Sequence, residues 1–277
     1  MIRMTLALSA LVAFAPLRAS AVEFYAEPGI RVQLDAIRAE ALKLKPAPRQ
    51  LPSGKPPIDQ YPVRGFDISH HQNEIKWDQV STGGYSFAFI KATEGDGYVD
   101  DHFLNNWRGA TVAGLAKGAY HFWNFCATGA TQADNFLRTV PVEPDAMAPT
   151  IDIEASASCR KMPAKALFRK QLDAFIKKVE AAYGKMPILY VNGSIYRDYF
   201  EGDSFKYPIW FAYPRDPAPK LPDGKNWTFW QYAFHGSVGG IDGEVDLDVF
   251  NGTKKQFADW VKNGGDSIGT LSIPEGQ

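Results

Sequence analysis

Short apolar segments alternate with amphipathic segments along most of the chain from residue 63 onwards. Apolar runs bounded by turn residues predict strands, and apolar residues at every third or fourth position predict helices. The predicted strands cover residues 63–69, 86–93, 117–123, a fourth run ending in Asp152 and Glu154, and then 187–191, 207–212, 228–233 and 244–250. The predicted helices cover residues 75–80, 101–113, 131–140, 163–183 and 254–262.

This alternation predicts an α/β fold with a parallel sheet and right-handed crossovers. Eight strands are enough to close a TIM-like barrel, and the predicted helices fade after the fifth strand. Catalytic groups of such barrels lie at the carboxyl ends of the strands. If the sheet closes, the first and eighth strands are neighbours, which brings Asp67 close to Asp246.

The segments on either side of the predicted barrel, residues 1–62 and 264–277, lack this alternation of strands and helices. Residues 1–21 resemble a secretory signal, with Arg3 before an apolar run and a small-residue cleavage site near Ala21. A buried N-terminal helix is the alternative. Residues 22–62 contain an amphipathic helix, 30–44, followed by a proline-rich strap. The predicted domains are therefore this N-terminal region, a barrel over 63–263 and a flexible tail over 264–277.

Composition narrows the class of protein. The 277 residues are 45% hydrophobic, which allows one core of barrel size. Signal cleavage would remove two of the 30 basic residues and no acid, leaving 28 against 31 acidic residues. Without a basic excess we expect no nucleic-acid partner, and no later apolar run is long enough for a membrane span. We expect an exported protein, periplasmic or extracellular, that is a monomer.

Asp152 and Glu154 close the fourth strand at a spacing of two residues. Side chains alternate faces along a strand, so both carboxyl groups point the same way, whereas Ile151 and Ile153 point to the other face. Two neighbouring acids repel each other, and the pKa of at least one should rise. A protonated acid beside an ionised one is the pair needed for acid-assisted hydrolysis. The alternative is two ordinary acids at a solvated strand end.

Polar and aromatic residues recur at the same end of the other strands. Together they predict a bowl of carboxyl groups with an aromatic rim, and no cluster of basic groups suited to phosphate. Aromatic faces pack on sugar rings, and carboxylates bind hydroxyl groups. The residues are Asp67, His70, His71 and Gln72; Lys91 and Glu94; Tyr120 and Trp123; Tyr190 and Asn192; Trp210 and Tyr213; Gln231 and Tyr232; and Asp246 and Asp248.

Other chemistries fit the sequence less well. Asp67, His70 and His71 include metal-ligand types, but adjacent histidines would point to opposite faces of an extended strand. A Gly-x-Ser-x-Gly elbow is missing, as are a dinucleotide-binding glycine motif and a phosphate-binding loop. We therefore expect neither a metal nor a cofactor.

Six motifs, taken in order, resemble the family 25 glycoside hydrolases, the Chalaropsis-type lysozymes or muramidases. Each motif alone is weak, but their order along the predicted strands is specific. The motifs are residues 65–72, 89–95 with Tyr98 and Asp100, 118–122, 152–154, 230–232 and 245–247.

The resemblance implies a (β/α)5(β)3 barrel, with five βα units and three final strands. It also implies hydrolysis of the β-1,4 bond between N-acetylmuramic acid and N-acetylglucosamine in peptidoglycan. By position, Glu154 resembles the general acid, supported by Asp152, Asp67 and Asp246. Whether Asp152 is a nucleophile or orients the substrate's acetamido group stays open. The residues expected to contact the glycan are Tyr120, Tyr190, Trp210, Gln231, Lys91, Glu94 and His71.

Two positions depart from the family pattern: Asn73 stands where glycine is common, and Asp248 where asparagine is common. Two rival functions share the fold, namely a chitinase or N-acetylglucosaminidase and a non-catalytic glycan-binding module.

Cys126 and Cys159 follow neighbouring strands, so we expect a disulfide between them in an oxidising compartment, with two free thiols as the alternative.

Overall fold

A computed structural model describes residues 58–265, apart from residues 157, 158, 160 and 216. The predicted signal peptide and the helix over 30–44 lie outside the described residues, as do most of the strap and of the tail. The predicted domain boundaries therefore stay predictions. Within the described part of the chain, no helix is both long enough and apolar enough to cross a membrane.

Within the described residues, nine strands form the sheet, and eight of them close into a barrel. The strands are β1 Arg64–Ile68, β2 Phe87–Glu94, β3 Tyr98–Val99, β4 Ala116–Phe122, β5 Thr150–Ile153, β6 Ile188–Asn192, β7 Ile209–Ala212, β8 Phe229–Gly236 and β9 Val245–Phe250. Their order is β1-β9-β8-β7-β6-β5-β4-β2-β3, and the additional pairing of β1 with β2 closes the barrel. The short β3 pairs antiparallel with the end of β2.

Helices follow the first five barrel strands, in agreement with the predicted five βα units and three final strands. They are α1 Trp77–Val80, α2 Phe103–Val112, α3 Gly129–Thr139, α4 Lys165–Tyr183 and α5 Gly193–Tyr199, with α6 Lys254–Lys262 after the last strand. A 3₁₀ turn, His70–Gln72, also follows β1. The hydrophobic pattern alone did not indicate α5, whose first turn is capped by the Asn192 side chain.

The last strand differs from the parallel arrangement that we expected. β9 runs antiparallel to both of its neighbours, β1 and β8, whereas β8 is parallel to β7. The β8–β9 hairpin, joined by residues 237–244, needs no crossover helix, which explains why the helical pattern is missing between these two strands. The beginning of β9 consequently lies at the same end of the barrel as the carboxyl ends of the parallel strands.

The alternation of side chains along the strands produces two cores. One core lies between the barrel and its helices and includes Ile151 and Ile153 of β5. The other fills the barrel interior, where Phe87, Phe89 and Phe229 pack on one another. Helix α6 contributes Phe257 and Trp260 to this interior core. The opposite, carboxyl end of the barrel holds the polar residues.

Asn73, which ends the turn after β1, has a positive φ of 51° with ψ −140°. Glycine adopts this conformation readily, whereas a side chain strains it by roughly 1–3 kcal/mol. We expect Asn73→Gly to stabilise the protein by about 1 kcal/mol in chemical denaturation, after the entropy cost of glycine is subtracted. Glu74→Gly is the control, because Glu74 has no positive φ to relieve. A loss of stability in both variants would contradict the strain at Asn73.

Candidate active site

Four carboxyl groups meet at the carboxyl end of the barrel and form the predicted bowl. Asp67 lies in β1 and Asp152 in β5, and Glu154 follows β5 directly. Asp246 stands near the beginning of β9 and is the register partner of Asp67. Because β9 is antiparallel to β1, its first residues reach the same mouth as the last residues of β1. Barrel closure therefore brings together Asp67 and Asp246, as the sequence predicted.

Gln231 of β8 links the two acids of that pair. Its Nε2 donates to Asp67 Oδ2 at 2.7 Å and to Asp246 Oδ2 at 3.2 Å. Its Oε1 accepts a hydrogen bond from the Tyr190 hydroxyl at 2.8 Å. The tyrosine thereby fixes the orientation of the amide, so that both N–H groups are directed at carboxylates.

Asp152 and Glu154 lie on the other side of the bowl. Asp152 is 7% exposed, and its Oδ1 has no hydrogen-bond partner within the described residues. Glu154 is only partly buried and thus open to the bowl. The backbone N–H of Trp123 donates a hydrogen bond to the backbone carbonyl of Asp152 at 2.8 Å and so holds this strand end in place. A buried carboxylate oxygen without a donor is a ready acceptor for a ligand N–H or O–H.

Burial and mutual repulsion raise the pKa values of the bowl acids. Burial raises the pKa of Asp67 well above its usual range, and the charge of Asp246 adds to this effect. Burial, with the charge of Glu154, also raises the pKa of Asp152 strongly. Burial raises the pKa of Glu154, with Lys91 opposing it. For Asp246, burial raises the pKa to about 6. The bowl therefore retains protons at a pH where exposed acids have lost them.

Lys91, on β2, is the cation beside these acids. Its Nζ lies 2.9 Å from Glu94 Oε2 and 4.8 Å from the centre of the Phe122 ring. Its positive charge lowers the pKa of Asp152 and the pKa of Glu154, against the effect of burial. The paired Lys91 and Glu94 thus form one side of the bowl.

Three aromatic residues predicted to contact sugar lie deep in the bowl. Tyr120 and Tyr190 are each less than a tenth exposed. Trp210 is 2% exposed, because its ring stacks on Phe89 with centroids 4.1 Å apart. Its Nε1 donates to Asp248 Oδ1 at 2.8 Å. Trp210 accordingly belongs to the floor of the bowl, where no face of the indole is free for a sugar ring.

The histidines after β1 lie at the rim. His70 Nδ1 is 2.7 Å from Asp100 Oδ2 and 3.2 Å from the Tyr98 hydroxyl. His71 is exposed, and its ring centre lies 4.0 Å from that of His70. Asp100 thus engages His70, and His71 is the histidine that remains open to a ligand. Within the described residues, no group of three or more His, Cys, Asp or Glu side chains is arranged to hold a metal ion.

His235, which the sequence analysis did not single out, is a further residue near the bowl. β8 continues past its predicted end to Gly236, so that His235 lies close enough to Asp246 to lower its pKa. Its Nδ1 also lies 2.8 Å from Glu244 Oε2. Residues 234–236 lack the alternation typical of a strand, so the sequence did not predict this extension. It depends on the pairing of β8 with β9.

A disulfide joins Cys126 to Cys159, as the sequence predicted. Cys126 lies in the connection between β4 and α3, and Cys159 in the connection between β5 and α4. The second connection begins directly after β5 with Glu154. The disulfide therefore ties the segment that follows Glu154 to the neighbouring connection.

Comparisons with known proteins agree with this geometry. The family described as "Glycosyl hydrolases family 25" matches residues 66–241. The uncharacterized protein YegX of Escherichia coli K12 is 38% identical over 210 residues, covering 73% of this chain and 75% of YegX. Lysozyme M1 of Streptomyces globisporus is 36% identical over 215 residues, covering 71% of this chain and 70% of the lysozyme.

A solved structure has the same architecture. A family 25 glycosyl hydrolase from Bacillus anthracis matches with a TM-score of 0.69 and 36% identity, covering 73% of this chain and 94% of that one. The family match spans well over half of the 277 residues and includes Asp67, Asp152 and Glu154. With its closed barrel and acidic bowl, the chain belongs to glycosyl hydrolase family 25.

Proposed function

We propose that this protein is a muramidase that cleaves the β-1,4 bond between N-acetylmuramic acid and N-acetylglucosamine in peptidoglycan. The observation that carries this proposal is the gathering of four carboxyl groups around one bowl at the mouth of the barrel. Membership of the family and the likeness to lysozyme M1 support a glycan of the cell wall as substrate. Such a substrate lies outside the cytoplasm, which supports export after cleavage near Ala21.

Glu154 is the group that we assign as general acid. Its carboxyl group is open to the bowl, and burial raises its pKa, so it keeps its proton to a higher pH than an exposed glutamate does. It would donate this proton to the glycosidic oxygen as the bond to the leaving sugar breaks. The Lys91 charge limits the rise in pKa and keeps the proton transferable.

Asp152, Asp67 and Asp246 would face the sugar ring, and in their ionised forms they would stabilise the positive charge that develops on it. Asp152 has a buried oxygen without a donor, which suits a hydrogen bond from the substrate's acetamido N–H. Gln231 holds Asp67 and Asp246 in one arrangement before the substrate binds.

The glycan would lie across the bowl between the Lys91–Glu94 side and the exposed His71. Tyr120 and Tyr190 would contact it from below with their edges, while Trp210 supports the floor. This assignment keeps the predicted contact residues but gives Trp210 an indirect role.

The rival functions are separated by product analysis. We expect purified peptidoglycan digested with the full chain to yield new reducing ends that are N-acetylmuramic acid. Borohydride reduction followed by sugar analysis identifies the new end. Reducing ends of N-acetylglucosamine would assign the protein to the glucosaminidase alternative, and binding without new ends would identify a glycan-binding module.

Lys91→Met should move the alkaline limb of the pH–activity profile to higher pH. Without the lysine charge, the pKa of Glu154 and the pKa of Asp152 rise further, so the general acid keeps its proton longer. The profile of kcat/KM between pH 4 and 9 measures the shift, whatever the change in maximal rate. Lys255→Met is the control, because Lys255 pairs with Asp259 on the exposed face of α6. An alkaline limb that stays in place or moves to lower pH would remove Lys91 from this role.

A further inference from the structure

Asp248 is a completely buried acid directly below the bowl. Its register partners are Gly65 of β1 and Gln231 of β8, and its exposed fraction is 0%. Its Oδ1 accepts the hydrogen bond from Trp210 Nε1, whereas its Oδ2 has no partner with a donor group within the described residues. A single indole N–H is little compensation for a fully buried negative charge.

Asp248 also lies beside Asp67, because its register partner on β1 is Gly65, two residues before Asp67. Its partner on β8 is Gln231, which donates to Asp67. A side-chain hydrogen bond between the two acids lowers the pKa of Asp67 and raises the pKa of Asp248. Two ionised carboxylates have no donor between them, so such a contact exists only when one of the two acids carries a proton. Asp67 already accepts the Gln231 N–H and is open to the bowl, whereas Asp248 is sealed beneath it. The proton therefore belongs on Asp248, with Asp67 as the acceptor.

We propose that Asp248 is a positioning residue that retains a proton and donates an O–H···O hydrogen bond to Asp67. This bond and the Gln231 N–H together fix the Asp67 carboxylate below the reacting sugar. The inference rests on the proposed function, since it gives Asp67 its orientation for that reaction. Asp248 itself does not reach the substrate.

The surroundings of Asp248 favour the protonated form. Asp67 of β1 and Asp246 of β9 are the acids that face it, and Tyr232 of β8 is a third titratable neighbour. From β7 it meets the neutral Trp210 indole. Burial, followed by the charge of Asp67, raises the pKa of Asp248 well above its usual range.

Two substitutions separate this role from simple packing. Asp248→Asn keeps the shape, accepts the Trp210 N–H through its oxygen and donates to Asp67 through its N–H₂ group at every pH. Asp248→Leu keeps a similar volume but has neither group. Asp78→Asn, at an exposed position of α1, is the control for loss of one carboxylate.

The first measurement is the melting temperature between pH 5 and pH 8, which does not depend on any activity. A carboxyl group whose pKa is raised by folding stabilises the protein fully below its unfolded pKa, and this stability is lost as the pH rises. Asp248→Asn removes that loss. We expect the melting temperature of this variant, relative to wild type, to rise steadily from pH 5 to pH 8, whereas Asp78→Asn stays parallel to wild type. A constant difference across this range would overturn the proposal.

The second measurement is kcat/KM on peptidoglycan. We expect Asp248→Leu to lose about tenfold or more, mainly in kcat, and Asp248→Asn to recover most of that loss. Equal losses in both variants would show that the donor to Asp67 is irrelevant and would overturn the proposal. If wild type releases no sugar at all, the proposed function fails, and the melting curves still decide whether the Asp67–Asp248 pair retains a proton.

Discussion

Glu154→Gln should reduce turnover on purified peptidoglycan by roughly a thousandfold, which is within the range that general acid catalysis contributes. Glutamine has nearly the same shape and can still form hydrogen bonds in the bowl, but it has no proton to transfer to the glycosidic oxygen. Because burial raises the pKa of Glu154, a neutral side chain fits the site, and the melting temperature should not fall. Reducing-end release and thermal melting, both recorded at neutral pH, measure the two effects.

Glu74→Gln is the matched control, because Glu74 is an exposed carboxylate in the segment that follows β1. We expect it to retain the wild-type rate. If Glu154→Gln keeps more than about a tenth of the wild-type turnover, Glu154 is not the general acid. Asp246, whose pKa is raised to about 6, would then be the next residue to test.

The features that the sequence could predict depend on the local pattern of residues or on the assumption that the sheet closes into a barrel. The alternation of strands and helices indicated the barrel, and the two-residue spacing placed Asp152 and Glu154 on one face. The approach of Asp67 to Asp246 needed only barrel closure, and their pairing follows from it. The Cys126–Cys159 disulfide likewise followed from the order of the parallel strands.

The features that the sequence could not predict depend on partners far away along the chain. The direction of β9 is set by its pairing with β1 and β8 rather than by its own residues. Trp210 lies in β7 as the register partner of Tyr190 in β6, yet its stacking on Phe89 and its hydrogen bond to Asp248 place it in the floor. Burial of this kind is a property of the packed interior, and no spacing in the sequence shows which side chain covers another.

Replacing both Cys126 and Cys159 by serine should lower the free energy of unfolding by roughly 3–4 kcal/mol. The two cysteines are 33 residues apart, and the estimate is the chain entropy that the cross-link removes from the unfolded state for a loop of this length. For a domain of this size, that corresponds to a fall in melting temperature of roughly 10 °C. Thermal melting of the non-reduced proteins measures it, and alkylation of wild type with and without reductant verifies the oxidised state.

The serine substitutions also test how the general acid is held. Cys159 lies in the connection that begins at Glu154, and its N–H donates to the Ser156 carbonyl, so the cross-link restrains the segment between β5 and α4. Loss of kcat at a temperature where the double variant is still folded would show that this restraint positions Glu154. Addition of reductant to wild type is the matched control, because it breaks the same bond without a substitution. A melting temperature unchanged in both would contradict a stabilising cross-link, since the entropy argument requires the same loss whichever way the bond is removed.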